Sequence, residues 1–79
     1  MKEILEKIIK GLVDDPDAVT IEEVQSTSFF VYEINVAADD VGKVIGKGGR
    51  NANAIRSIIT SIARKQGKGA IVRFNDDAS

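Results

Sequence analysis

The chain contains no cysteine and no histidine. The first absence excludes disulfides, thiolate metal sites and thiol chemistry, and is compatible with a reducing compartment. The second removes the commonest general acid/base and the commonest metal-binding side chain, leaving carboxylates and lysines for any catalysis. Long apolar runs are missing as well. None exceeds four residues, far short of a membrane span, and Glu3 and Glu6 stand where a secretory signal would be apolar. These gaps argue against an enzyme, a metal site, a bound cofactor and a membrane protein, and lead us to expect a soluble cytoplasmic chain. At 79 residues the sequence predicts one domain over 1–79, too small for a deep catalytic cleft, with a frayed tail at 76–79.

What the chain does have is a segregated charge. Residues 1–40 hold three basic residues, Lys2, Lys7 and Lys10, against ten acidic ones. Residues 41–75 hold eight basic residues and no acid. The net charge of -1 hides this asymmetry. A basic half concentrates phosphates whatever the total, although an ordinary solvated surface would also accommodate it.

Periodicity orders the elements. Ile4, Leu5, Ile8, Ile9, Leu12 and Val13 form a helical stripe over 3–13, which should end before Pro16. Residues 18–26 read as an edge strand whose alternation breaks at Glu22 and Glu23. A short turn at Ser26 to Ser28 leads to a second strand with Phe30, Tyr32, Ile34 and Val36 inward, antiparallel to the first. Asp39 or Asp40 offers an N-cap to a short helix ending at Gly46. A longer helix runs from about Arg50 to Gln66 with Ala52, Ile55, Ile58, Ile59 and Ile62 on one stripe, and a final strand covers 70–74. A strand, two helices and a strand imply a right-handed crossover and a parallel pair. The expected fold class is therefore α+β, in the order α-β-β-α-α-β, with three helices packed on one face of a three-stranded mixed sheet.

Three glycines in four positions interrupt the helices in "VIGKGGRNANAIR". A dinucleotide fingerprint fails because the third glycine position is Asn51, and a P-loop fails because Lys47 is followed by Gly48. A tight turn with Gly46 as a left-handed helix cap would explain one or two glycines. It leaves Gly49 and the surrounding Lys43, Lys47, Arg50 and Arg56 unexplained. A backbone stripped of side chains beside a helix N-terminus suits a sugar-phosphate chain. Arg50 opposes the helix dipole where it stands, which a bound phosphate would offset.

The stretch resembles the core of the KH domain, whose GXXG loop between two helices is matched by Gly46, Lys47, Gly48 and Gly49, with Val44 and Ile45 before it and Ile55 six residues after. The element order matches the type II arrangement. Nearly the whole chain is similar to the bacterial single-domain KH proteins of the KhpA family. The resemblance implies a single-stranded RNA or DNA backbone clamped at the loop, with bases in a mostly apolar groove. It places Lys47 on phosphate, Lys43 and Arg50 along the backbone track, Val44 and Ile45 in the groove wall, and Asn53 and Arg56 beside them. It further implies a homodimer, or a heterodimer with a larger KH-containing protein, and an RNA-chaperone role linked to cell elongation and envelope growth. Gly48 stands where the family often carries a polar or basic residue and Asn53 where it often carries a lysine, predicting a looser loop, a site one charge poorer and weaker binding.

Other residues have competing roles. Phe30 and Tyr32 are expected in the core, and Phe29, on the other face, is the candidate for base stacking. The acid pairs Asp14-Asp15, Glu22-Glu23 and Asp39-Asp40 fit turns and caps better than metal ligation. Ile58, at the edge of its stripe, is either core or a dimer contact. A second reading therefore stands beside RNA binding, that of a protein-interaction module that dimerises with a partner.

Overall fold

The computed structural model describes residues 1–74, so the expected tail at 76–79 lies outside the described residues. Helix α1 spans Lys2–Leu12 and ends with Val13 extended. Asp15, restricted by the proline after it, is non-helical, and Pro16 opens a single 3-10 turn over Pro16–Ala18. Leu5 and Ile9 of α1 are buried, and Ile8, Leu12 and Val13 pack against the core at its margin. Ile4 is 44% exposed, so the burying face is narrower than the six-residue stripe. α1 packs against β1 and α2, and Ile4 lies outside the face it buries.

Strands β1 (Thr20–Gln25), β2 (Phe29–Asn35) and β3 (Gly69–Phe74) form one sheet in the order β1-β2-β3. β1 pairs antiparallel with β2, and β3 parallel with it. The β1–β2 turn is closed by Ser26, whose N–H donates to the Phe29 carbonyl at 2.8 Å and whose Oγ accepts the Phe29 N–H at 3.0 Å. Only Ile21 of β1 is buried, as suits an edge strand. The break in alternation at Glu22 and Glu23 has a specific cause. Glu23 sits opposite Tyr32 in the register, and its carboxylate accepts the Tyr32 hydroxyl at 2.5 Å. Burial of Tyr32, then the bond and charge of Glu23, push the phenol well above its ordinary pKa.

Phe30, Tyr32, Ile34 and Val36 face inward as their alternation predicts, joined by Val72 and Phe74 from β3. Helices α2 (Val41–Ile45) and α3 (Arg50–Lys65) cover this face. α3 buries Ala52, Ile55, Ile59 and Ala63, an i, i+3, i+7, i+11 line that differs from the predicted stripe. Ala63 replaces Ile62 on the buried line, and Ile62 is half-buried while Ile58 is 45% exposed. Each fully buried Leu or Ile contributes about 1.5–3 kcal/mol. Val36, Val44, Ile55 and Ile59 thus clamp the two helices to the sheet and fix the turn between them.

Candidate nucleic-acid interface

α2 ends at Gly46, whose N–H donates to the Gly42 carbonyl at 2.8 Å. The chain then makes one 3-10 turn over Lys47–Gly49 and enters α3 at Arg50. Gly46 is not the left-handed cap that the sequence suggests. Its φ of 77° and ψ of 170° place it in a region essentially restricted to glycine. A Cβ there would lie 2.9 Å from the backbone nitrogen of Asn51. Gly48 (φ 64°, ψ 19°) and Gly49 (φ 80°, ψ 13°) are the left-handed pair. The three glycines therefore reverse the chain within a single turn. Gly48 faces open space, and Lys47, Gly48 and Arg50 are exposed.

Asn51, which the sequence offers only as a misfit to a nucleotide motif, has a role of its own. Its amide donates to the Lys43 carbonyl at 2.9 Å, tying the first turn of α3 to the last of α2. No side chain caps α3, and its first turn holds no acid. The amino end of the helix is therefore left to attract an anion by its dipole.

The predicted track residues divide. Asp40 precedes α2 but makes no capping bond to it. Its buried carboxylate turns instead to the α1–β1 connection, accepting the N–H of Asp15 at 3.0 Å and of Asp14 at 3.2 Å. Lys43 completes the cluster, ion-paired to Asp14 and 3.6 Å from Asp40. Burial pushes the Asp40 carboxyl up, but the two N–H groups and the Lys43 charge outweigh it and hold the carboxyl below the usual range. The bond to Asp14 raises the Lys43 ammonium against an opposing cost of burial. Lys43 is thus held by carboxylates; Asp40 lies three residues before it, but Asp14 lies 29 residues away, beyond any local pattern.

Val44 is fully buried, so its side chain belongs to the core rather than to a groove wall; Ile45 packs at the core margin and remains half-buried. Asn53 is exposed beside Gly49. Arg56 reaches the free edge of the sheet, where Nε donates to the Val72 carbonyl at 3.3 Å and the guanidinium lies 5.4 Å from the Phe74 ring centre. Phe29 is 45% exposed, but it lies at the end of β2 away from where the chain leaves for α2. Gly46 to Arg50, Asn53 and Ile45 therefore share one surface, from which Phe29 is remote. Among the described residues no three acids are grouped to hold a metal ion, and no helix is long and apolar enough to cross a membrane.

A family model described as the KhpA/KhpB KH domain matches residues 2–74. The chain belongs to this KhpA/KhpB KH-domain family. Its α+β architecture is consistent with the type II KH fold, and the family is non-enzymatic. Relatives named RNA-binding protein KhpA include one from Chlamydia pneumoniae, 52% identical over 82% of this chain and 83% of that protein. Another, from Clostridium acetobutylicum, is 49% identical over 94% of this chain and 99% of that protein. A third, from Chlamydia caviae, is 44% identical over 98% and 99% respectively. No solved structure gives a significant match. In this KhpA/KhpB-family chain, Gly46 to Gly49 form the turn between α2 and α3.

Proposed function

We propose that this chain binds single-stranded RNA through the Gly46–Gly49 loop, with Lys47 and Arg50 on the backbone. The observation that carries the reading is the loop itself. Gly48 and Gly49 are left-handed, Gly48 is unobstructed, and two exposed cations flank it at an uncapped helix start. A sugar-phosphate backbone can approach such a turn closely, as KH loops approach about four nucleotides. The names of the relatives, RNA-binding protein KhpA, agree with this. Lys43 contributes less than its position suggests, because Asp14 and Asp40 hold it, and Asn53 supplies a neutral polar contact.

Fluorescence polarisation with short single-stranded RNA tests the proposal. A Lys47→Asp, Gly48→Asp double variant should lose binding sharply while its circular dichroism spectrum is unchanged; equal affinity would sink it. With roughly two to four phosphates contacted, log affinity should fall against log salt with a slope of about -1.4 to -2.8.

The finer reading is a cytoplasmic RNA chaperone, tied to cell elongation and envelope growth, that works as a homodimer or with a larger KH-containing partner. The 45% exposure of Ile58 on α3 supports a contact there. Mass measurement in solution should show wild type above the monomer and Ile58→Asp at it. A monomeric wild type would remove the homodimer.

A further inference from the structure

Below the loop, five side chains of α3 line a shallow open depression of about 290 Å³: Arg56, Ser57, Thr60, Ser61 and Arg64. Every one carries a hydrogen-bond donor, and none carries a negative charge. The whole of α3, sixteen residues from Arg50 to Lys65, holds no Asp or Glu. Its cations therefore lack the i, i+4 carboxylates that normally partner them on an exposed helix. Arg64 forms no ion pair with any described residue. Lys68, by contrast, is already engaged, its ammonium donating to the Ser26 carbonyl at 3.0 Å and lying 4.7 Å from the Phe30 ring centre.

Arg56, Thr60 and Arg64 recur every four residues and so form one row, with the two arginines about 12 Å apart along the axis. The row begins on the helix that the loop opens. Arg56 is fixed at its upper end by the Val72 carbonyl and the Phe74 ring. Ile58 lies roughly 120° around the helix from Arg64, so a dimer formed across Ile58 leaves the row uncovered. A ligand matched to such a row must repeat its negative charge along an extended path, which a phosphodiester backbone does.

We propose that single-stranded RNA held at the Gly46–Gly49 loop continues down α3, with backbone phosphates meeting Arg64 and Thr60 in the depression. This rests on the RNA reading of the loop and extends it. The footprint then exceeds the roughly four nucleotides of a KH loop, and affinity depends on RNA length through α3 rather than through the turn.

The test compares a labelled tetranucleotide with a decanucleotide of the same uridine composition, across a salt series. Arg64→Glu should weaken the decanucleotide by about three- to tenfold and flatten its log-log salt slope by about 0.7, the value of one lost phosphate contact on a single strand. The tetranucleotide should bind both proteins equally. Unchanged decanucleotide affinity in Arg64→Glu overturns the proposal. So does an equal loss at both lengths, which would mark a general field effect or another occupant of the helix face. The loop reading fails separately, when Lys47→Asp leaves the tetranucleotide affinity unchanged. Arg64 is exposed, so a preserved circular dichroism spectrum is expected and excludes misfolding as the cause.

Discussion

On the α2 side of the turn, the one cation, Lys43, is paired with Asp14 and Asp40. On the α3 side, Arg50, Arg64 and Lys65 stand on a helix without a single acid. The two flanks are a few residues apart and look alike as a run of basic residues. One is an anchor, and the other leaves its charges facing solvent. The buried Asp40 carboxylate makes the difference, since it collects two backbone N–H groups and Lys43 and so pins α2 to the chain that leaves α1. A count of basic residues therefore overstates the charge available to a ligand on the α2 side.

Removing the anchor should produce the largest change in stability. Asp40→Asn keeps the shape but faces an amide toward two N–H donors and takes the charge from Lys43, so the melting temperature at neutral pH should drop by several degrees. The sign with pH follows from the carboxyl being held below its ordinary value. Its contribution is full above the unfolded value of 3.8 and is lost as pH falls through the lower folded value. The gap between wild type and Asp40→Asn in thermal melts should thus close in strong acid. A gap that persists there would assign the loss to packing instead of charge.

A smaller effect separates the cations themselves. Arg50→Gln should weaken single-stranded RNA by about three- to tenfold and reduce the salt slope by about 0.7, because its charge faces solvent at the start of α3. Lys43→Gln should cost less than about twofold, its charge being partly neutralised already by carboxylates within ion-pair distance. Its exposed pair with Asp14 adds little stability either. Equal losses at both positions, read by fluorescence polarisation, would show that RNA displaces Asp14 and that the flanks are not distinct.

The elements and their order were legible because each rests on local pattern. The alternation of Phe30, Tyr32, Ile34 and Val36 survives intact, and Pro16 and the glycines stop helices where their backbone chemistry requires. Burial at stripe margins was less legible. Ile4 and Ile58 are exposed and Ala63 is buried, since the width of a covered face depends on the neighbouring element and not on the helix's own spacing. The site divides in the same way. That the three glycines form a turn between two helices, with Lys47 and Arg50 beside it, was legible from their spacing. The pairing of Lys43 with Asp14, the backbone-binding role of Asp40 and the burial of Val44 were not, because these partners lie 25 or more residues away or across the core. The bond of Asn51 spans eight residues to the Lys43 carbonyl, beyond the reach of local side-chain-to-backbone patterns.

Gly46 and Gly48 sit two positions apart in the same turn and set opposite terms for sequence drift. At 46 the backbone conformation and the Asn51 nitrogen 2.9 Å away close the position to every side chain. At 48 the left-handed backbone tolerates asparagine or aspartate at modest strain, and nothing stands within 4 Å of a new Cβ. Divergence among chains of this kind can therefore retune charge and reach at 48 without disturbing the reversal that 46 enforces, making one glycine a fixed constraint of the lineage and the other its adjustable setting.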